Sequence, residues 1–368
     1  PAPPATSLGQ ADSLRLTKAR ECLPRRDSAH PSGQSCTCAL HRSRRRAHSA
    51  HPSPHTRIMQ LHRTRPDLLR AERSDPSRAR QLRRLHAAGR VIRLRAGVYL
   101  DKRVWDALDT SDKHLAMAWA LAPDLSPTSA FSHVTAALIH GWPLIGPAPE
   151  RIHVVDWTLV GVEHRVGLIR HGIDPAGLCL GPSRFDGVPV VDALGTAVAV
   201  ARTCDPAVAA VAIDHAVRMK AIDRKVFEEH LPPPASRGGR RARLVATALD
   251  PAHESPGESY SSIRLVQLGV TNIHPQHEFI TNGFRDRVDF WLPDAGVVVE
   301  FDGKQKYVDR EMLAGRDPSE VLWQEKRRED RIRTHREVRS VIRVTWWHLE
   351  SLDRFRALLR SHGVLITP

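Results

Sequence analysis

The sequence predicts a multi-domain protein of mixed α and β structure, of the α/β (α+β) class. Its 368 residues exceed one ordinary domain, and 41% of them are apolar, which suffices for sizeable cores. Helical and strand periodicities alternate from Met59 onward. In the last third of the chain, one helix and three closely spaced strands precede a long helix and a further strand. These observations predict two or three domains built on more than one sheet.

Residues 1–58 show neither helical nor strand periodicity. They are rich in Pro, Ser, His and Arg, and they carry 10 Lys and Arg against 3 Asp and Glu. Such a segment cannot bury enough apolar surface to offset the entropy lost on ordering. We expect either a disordered basic tail or a stretch upstream of the native start, since the first methionine is Met59.

Residues 59–105 are predicted to form a winged helix-turn-helix. A short helix can begin at Pro66, a second begins at Pro76 and is stopped by Gly89, and a hairpin follows with its turn at Gly97. The segment holds 13 Lys and Arg against 4 Asp and Glu, so we expect DNA as its partner. The candidate DNA contacts are Arg78, Arg80, Arg83, Arg84, Arg93 and Arg95. A solvated basic face on a small structural domain is the alternative.

Residues 106–231 are predicted to form an α/β middle domain. Its helices are expected over 110–121, 128–140, 191–203 and 206–219, and its strands near 150–156 and 163–171. His133 and His140 would share one helical face, but no carboxylate cluster accompanies them, so we expect buried, hydrogen-bonded histidines rather than a metal or acid–base pair. Residues 232–254 contain three consecutive prolines and a glycine pair, which predict a linker.

Residues 255–368 are predicted to form a mixed sheet flanked by helices. Helices are expected over 258–269, 319–336 and 351–361, and strands over 273–280, 285–292, 296–302 and 340–346. The element order is αβββαβα.

Two of the predicted strands of this region carry acidic residues. Side chains alternate along a strand, so Glu300, Asp302 and, if the strand continues, Lys304 project from one side. Asp289 on the adjacent antiparallel strand can complete a cluster of three carboxylates and one ammonium. Like charges this close repel, so the cluster is expected to bind a divalent cation, and oxygen ligands favour Mg²⁺ or Mn²⁺.

A metal in such a cluster suits phosphodiester hydrolysis. Lys304 could hold or deprotonate the attacking water and stabilise the developing charge. The alternative is a solvated acidic strand edge. The run Val297-Val298-Val299 argues against it, because this run is typical of a buried strand, where clustered carboxylates are unusual without a role.

Asp289, ten intervening residues and then Glu300-x-Asp302-x-Lys304, set in this element order, resemble the PD-(D/E)xK nuclease superfamily, particularly endonuclease-like domains related to very-short-patch-repair enzymes. The resemblance covers residues 255–363. It implies a restriction-endonuclease-like αβββαβ fold, with Asp289 as a metal ligand and an acidic residue on the first helix, the place of Glu258. Two registers stay open. Asp302-Gly303-Lys304 preserves a catalytic lysine, whereas Glu300-Phe301-Asp302 moves that role to Lys304 or leaves it vacant.

The long helix carries charges of both signs at i,i+4 spacing, which is typical of an exposed helix face. Related nuclease domains have a similar Glu-Lys-x-Arg stretch beside the site. The resemblance therefore implies that Lys326 and Arg328 contact phosphate.

The amino-terminal half has a resemblance of its own. Arg80 through Leu100 resembles the winged-helix start of AbiEi-like antitoxin proteins, and the segment from Ser132 to Gly141 is similar to one that follows that module. The resemblance covers residues 60–220. It implies transcriptional autoregulation and a toxin partner, as in a type IV toxin–antitoxin system.

Together these patterns predict a DNA-binding, divalent-metal-dependent endodeoxyribonuclease. Glu258, Asp289, Glu300 and Asp302 would hold the metal, and Lys304 would assist the water. The alternative is a non-catalytic DNA-binding regulator or antitoxin. The sequence has no long apolar run, and its five cysteines make no disulfide framework, so a cytoplasmic protein without membrane contact is expected.

Overall fold

The computed structural model of the protein describes residues 65–173, 182–281, 283–303 and 318–366. These residues form twelve α-helices and three β-sheets, which confirms the mixed α and β class. The expectations for residues 1–58, including the basic tail, and for Lys304 lie outside the described residues.

The first sheet has three strands in the order β1-β3-β2. Helix α1 precedes its hairpin, and the elements are β1 (Leu69–Arg70), α1 (Pro76–Ala87), β2 (Val91–Arg95) and β3 (Val98–Asp101). The Asp75 side chain caps α1 by accepting from the backbone N–H of Arg78, and Gly89 ends it with a left-handed φ of +67°. Leu82, Val91 and Tyr99 form the small core between helix and hairpin.

The prediction of a helix from Pro66 is wrong, because strand β1 lies there instead. Leu69 pairs with Tyr99 and Arg70 with Val98, in antiparallel register. The pairing packs Leu69 against the core beneath α1. A contact to a strand that comes almost 30 residues later in the chain therefore outweighs the weak local helical preference.

The second sheet has six strands in the order β6-β7-β5-β4-β9-β8. Three helices precede or interrupt its strands, namely α2 (Lys102–Ala107), α3 (Thr110–Leu121) and α4 (His133–Ile139). The strands are β4 (Ser129–Phe131), β5 (Ile152–Asp156), β6 (Val162–Arg165), β7 (Leu168–His171), β8 (Pro182–Phe185) and β9 (Val188–Val191). Strands β5 and β7 run parallel, as do β4 and β9.

The helix expected over 128–140 is shorter than predicted, because its first turn is strand β4. Ser129, Ala130 and Phe131 are all buried, between β5 on one side and β9 on the other. A central strand satisfies its backbone on both edges, which a helix at this place could not do.

A helical layer follows the second sheet. It consists of α5 (Ala193–Thr203), α6 (Pro206–Arg218), α7 (Arg224–Glu229) and α8 (Gly239–Ala248). Helix α8 occupies the stretch expected to be a linker. Ala242, Val245 and Ala246 recur at helical spacing and are buried in the main core. The glycine pair serves close packing rather than flexibility, since a Cβ on Gly239 would lie 2.1 Å from the Pro233 carbonyl oxygen.

The third sheet has the order β10-β11-β12-β13, with β12 and β13 parallel and the other pairs antiparallel. The observed element order agrees with the predicted αβββαβα apart from one added short helix. The elements are α9 (Pro256–Gln267), β10 (His274–Thr281), β11 (Phe284–Leu292), β12 (Val297–Phe301), α10 (Pro318–Thr334), β13 (Ser340–Val344), α11 (Trp346–Leu349) and α12 (Leu352–Ser361).

One apolar core joins the helical layer to the third sheet. It contains Ala212 of α6, Val245 of α8 and Ile263 of α9 together with Phe290 and Val299 of the sheet. At the same junction the buried Asp214 carboxylate accepts hydrogen bonds from the Asp250 backbone and the Ser259 hydroxyl and contacts His253 Nδ1 at 2.5 Å. These contacts fix the start of α9 against α6. Among the described helices, none has both the length and the apolar character needed to cross a membrane.

Candidate functional site

The candidate site lies where strands β11 and β12 part. The two buried strands pair from Leu292 opposite Val297 to Phe290 opposite Val299, and Asp289 and Glu300 are the next residue on each strand beyond the last pair. The Phe301 backbone N–H donates a hydrogen bond of 2.8 Å to Asp289 Oδ2. Two acidic residues therefore lie at the end of a strand pair whose Val297, Val298 and Val299 have no exposed surface.

The alternation of side chains between the two faces of the sheet is interrupted in β11 at Asp289. Val288 packs in the core beside α10, whereas Phe290, two residues on, packs in the main core on the opposite face of the sheet. The pairing of β10 with β11 skips Gln276 and Asp289, and Gln276 has a left-handed φ of +50°. Such irregularities in a ladder re-aim side chains and are common beside functional sites.

Glu258 is held on the first turn of α9 and is 5% exposed. Its carboxylate accepts hydrogen bonds from the Ser255 hydroxyl at 2.6 Å, the Glu254 backbone at 2.9 Å and Gln276 Nε2 at 2.7 Å. The first two bonds belong to the helix cap, where a carboxylate is favoured by the helix dipole. The third joins Glu258 to the irregular step of β10.

Glu300 is paired with Arg328 of α10. Arg328 Nη2 donates to Glu300 Oε1 at 2.7 Å and to the Arg287 carbonyl oxygen, while Arg328 Nη1 lies 3.1 Å from Glu325 Oε1. Burial alone would lower the pKa of Arg328, but the hydrogen bond and charge of Glu300 outweigh it, so the pKa is raised. Arg328 is thus bound to protein acceptors, and the phosphate contact that the resemblance implies for it stays a prediction.

Asp302 follows the end of β12. Its backbone N–H donates to the Val344 carbonyl oxygen at 2.7 Å, and its residue is half-buried. Within the described residues its carboxylate has no hydrogen-bond or ion-pair partner, unlike Glu258 and Glu300. Lys304, two residues on, lies outside the described residues.

The structure places these carboxylates in the same part of the sheet, but within the described residues their oxygens do not converge on one point as the ligands of a metal ion would. Within the described part of the chain, the one group of three histidine, cysteine or acidic side chains whose ligand atoms all lie within 4.8 Å of one another consists of histidines. Glu258, Asp289 and Glu300 each bond to a different protein donor. Like charges on adjacent strands repel, so separate donors are the stable arrangement.

The basic face of α1 is the second candidate site. Arg80, Arg83 and Arg84 stand at i, i+3 and i+4 and are exposed, and no described acidic side chain pairs with them. Arg93 on β2 is exposed as well. The other two predicted contacts are engaged, since Arg78 donates to Gln81 Oε1 at 3.2 Å and Arg95 forms an ion pair of 3.1 Å with Asp124. Lys326 of α10 is exposed.

Sequence reasoning missed three features of these sites. The partner of Glu300 was hidden because Arg328 belongs to a helix whose charges indicated only an exposed face. Gln276 carries no chemical signal that distinguishes it from a strand residue. The histidine group includes His133, which was considered only with His140, whereas His140 Nε2 donates separately to the Val191 carbonyl oxygen, 2.8 Å away.

Comparisons with known proteins add little to this geometry. No protein-family model and no curated protein matches the chain. A solved structure, the RV2827C protein from Mycobacterium tuberculosis, is similar with a TM-score of 0.31 and 16% identity, over 63% of this chain and 90% of that one. The function is therefore argued from the residues themselves.

Proposed function

We propose that the protein is a DNA-directed, divalent-metal-dependent endonuclease of the PD-(D/E)xK type. The observation that carries the proposal is the acidic junction of β11 and β12, where Asp289 and Glu300 come directly after the last pair of two buried strands and the Phe301 backbone N–H binds Asp289. Asp302 follows Glu300 by two residues, and Glu258 on the preceding helix accepts a hydrogen bond from Gln276 of β10 in the same sheet. This arrangement of acidic residues and the observed order of helices and strands are what the resemblance implies for a restriction-endonuclease-like domain.

The donor set fits a hard divalent cation. All four candidate ligands are carboxylates, and oxygen donors without sulfur or imidazole favour Mg²⁺ or Mn²⁺. Asp302 supports the fit, because its half-buried residue comes directly after β12 and two residues after Glu300. We assign Asp289 and Asp302 as the principal ligands and Glu258 and Glu300 as acidic neighbours.

The residues of this chain have separate roles in the proposed reaction. A bound Mg²⁺ or Mn²⁺ supplies polarisation of a phosphoryl oxygen and a lowered pKa for a bound water. Phe301 orients Asp289 through its backbone N–H, and Gln276 and Ser255 orient Glu258. Arg328 fixes Glu300 in the same region. Lys304 remains the proposed aid to the attacking water, in either register.

The proposal is tested by nicking of supercoiled plasmid with Mg²⁺ or Mn²⁺. We expect Asp289→Asn to lower the cleavage rate by about 100-fold or more, since even residues behind metal ligands cost about 10- to 100-fold. Glu278→Gln is the matched control, because Glu278 is an exposed acidic residue on β10 of the same sheet. It should cleave at the wild-type rate.

Two outcomes would contradict the proposal. Equal cleavage by wild type and Asp289→Asn would remove the assigned site. Absence of cleavage by wild type on single- and double-stranded DNA with either metal would favour a non-catalytic protein.

The second candidate function is a non-catalytic DNA-binding regulator or antitoxin with a toxin partner. The observation that favours it is the basic face formed by Arg80, Arg83 and Arg84, which has no described acidic partner and lies far in sequence from the acidic junction. A helix with such a face beside a hairpin supports α1 as the DNA-contacting helix and the hairpin as the wing, while strand β1 stands where the other helix was expected.

Salt dependence of DNA binding tests this face separately from cleavage. Each phosphate contact contributes a slope of about −0.9 to the dependence of log K on log salt, so replacing the three arginines by alanine should reduce the slope by up to about 3. Arg356→Ala on α12 is the control and should leave the slope unchanged. An unchanged slope in the triple variant would exclude α1 as the DNA contact.

A further inference from the structure

Three histidines converge beneath the start of α4. His153 lies on β5, His171 on the parallel neighbour β7, and His133 is the first residue of α4. His153 Nδ1 and His171 Nε2 are 3.0 Å apart, and the rings of His133 and His171 stack with centroids 3.8 Å apart. All three residues are half-buried, and one ring nitrogen from each lies within 4.8 Å of the other two.

These rings are uncharged at neutral pH. Burial and neighbouring positive groups lower the pKa of His153 to about 3 and that of His171 to about 4, and burial lowers the pKa of His133 well below its ordinary value. A neutral imidazole has one nitrogen with a free lone pair. Neutral rings can approach each other without charge repulsion, as the 3.0 Å contact between His153 and His171 shows.

The backbone at His133 is strained in a way that serves the cluster. His133 has a left-handed φ of +52°, a conformation that costs a non-glycine residue about 1–3 kcal/mol. The Ser132 hydroxyl lies 3.0 Å from His133 Nδ1, and Thr135 Oγ1 binds the His153 backbone N–H at 2.9 Å. Thr135 Oγ1 also contacts His114 Nε2 at 2.8 Å. Hydroxyl groups thus hold the His133 ring and the His153 backbone, and such neighbours are usual around metal-bound histidines.

We propose that His133, His153 and His171 bind one Zn²⁺ ion, with the fourth coordination position open to solvent. Imidazole nitrogens suit zinc better than Mg²⁺. Zn–N bonds of about 2.0–2.1 Å in tetrahedral geometry place ligand nitrogens about 3.3 Å apart, close to the 3.0 Å between His153 and His171. A simple hydrogen bond explains that one contact, but it does not explain why a third ring is held against the pair by a strained backbone.

The fourth position falls to water or hydroxide. Within the described residues no cysteine or acidic side chain joins the three histidines. Arg202 and Arg237 lie near enough to lower the pKa values of His133 and His171, respectively. These guanidinium groups would favour an anionic fourth ligand. Three protein nitrogens and an open position are the coordination pattern of catalytic rather than purely structural zinc sites.

The experiment is a titration of the full chain with Zn²⁺ against a chromophoric chelator. Wild type should bind one equivalent more than the double variant His153→Asn/His171→Asn. The control is His164→Ala, an exposed histidine on the adjacent strand β6, which should keep the wild-type stoichiometry. Any zinc bound by cysteines and histidines of residues 1–58 is common to all three proteins and cancels.

A second measurement protects the test against misfolding. His133→Gly removes one ligand while suiting the left-handed backbone, so it should fold and lose the same equivalent. Substitution with Co²⁺ should give the intense visible absorption of a tetrahedral site in wild type and none of that band in His133→Gly. Equal zinc stoichiometry in wild type and both histidine variants, each folded by circular dichroism, would overturn the proposal.

Discussion

The acidic junction of the third sheet and the histidine cluster of the second differ in what their potential metal-ligating side chains contact. Glu258, Asp289 and Glu300 each bond to a separate protein donor. The histidines instead contact one another directly. The difference follows from charge, because carboxylates at neutral pH repel whereas neutral imidazoles do not. Without a bound metal, neutral side chains that could ligate it can lie in contact, whereas charged ones are held apart. Close contact is therefore a better indicator of a histidine site than of a carboxylate site.

The two groups also share a feature. Each includes one non-glycine residue in the left-handed region, Gln276 with φ +50° and His133 with φ +52°. In both, the strained residue contributes a side chain to the group, either by donating to Glu258 or by stacking on His171. Strain of this kind is held by the surrounding structure and is concentrated at functional sites.

The largest expected effect comes from removing Arg328, the side chain that forms an ion pair with Glu300 at the acidic junction. Arg328→Met keeps the side-chain stem but leaves the half-buried Glu300 without its ion pair. We expect the free energy of unfolding to fall by about 2–3 kcal/mol without metal, and Mn²⁺ to restore a large part of that loss. Urea unfolding with and without Mn²⁺ measures both changes.

The control for this variant is Arg333→Met, which breaks an exposed i,i+4 pair with Glu329. Its cost should be below about 0.5 kcal/mol and insensitive to Mn²⁺. Identical Mn²⁺ responses in Arg328→Met and in Arg328→Met/Glu300→Gln would show that Glu300 does not sense the cation.

An intermediate effect is expected on acidification, and it concerns the histidine cluster. The folded-state pKa values of His153 and His171, about 3 and about 4, lie below the ordinary value of 6.5 because burial and the neighbouring His114, His164 and Arg237 oppose protonation. The unfolded chain therefore binds more protons than the native chain below about pH 6.5, so stability falls as the pH falls toward 4. The expected loss is about 1–2 kcal/mol after solvent screening.

This pH dependence is measured by urea unfolding in the presence of a chelator, at several pH values between about 7.5 and 4.5. His153→Asn/His171→Asn should flatten the decline, and His274→Ala, at an exposed histidine on β10 of another sheet, should not. A decline that is equally steep in the double variant would assign it to other groups.

The smallest effect distinguishes the two strained residues. Glycine at either position relieves the backbone, whereas alanine keeps the strain, so the glycine variant should be more stable than the alanine variant by about 1 kcal/mol. Gln276→Gly also loses a hydrogen bond to a charged acceptor, so we expect a net loss of about 1 kcal/mol. His133→Gly loses ring stacking and a hydrogen bond between neutral groups to the Ser132 hydroxyl, so the gain from the relieved backbone should leave it nearly neutral. Thermal unfolding of the four variants provides the measurement.

Local signals in the sequence sufficed for some elements. Asp75 and Pro76 predict the start of α1, Gly89 its end, and the element order of residues 255–366 follows from periodicity. Strands β1 and β4 and helix α8 were not predictable in this way, because each is determined by distant partners. The acidic positions are visible as sequence spacing. The pairing of Glu300 with Arg328 and of His153 with His171 depends on which helix covers which strand and which strands are neighbours.

The apolar core shared by the helical layer and the third sheet has a consequence for how the chain unfolds. Ala212, Val245 and Ile263 belong to the same core as Phe290 and Val299. Separating residues 255–366 from the preceding helices would therefore uncover one wall of that core and the buried Asp214 group. The two parts should melt as one cooperative unit in calorimetry, and an excised carboxy-terminal fragment should aggregate rather than act as an autonomous module.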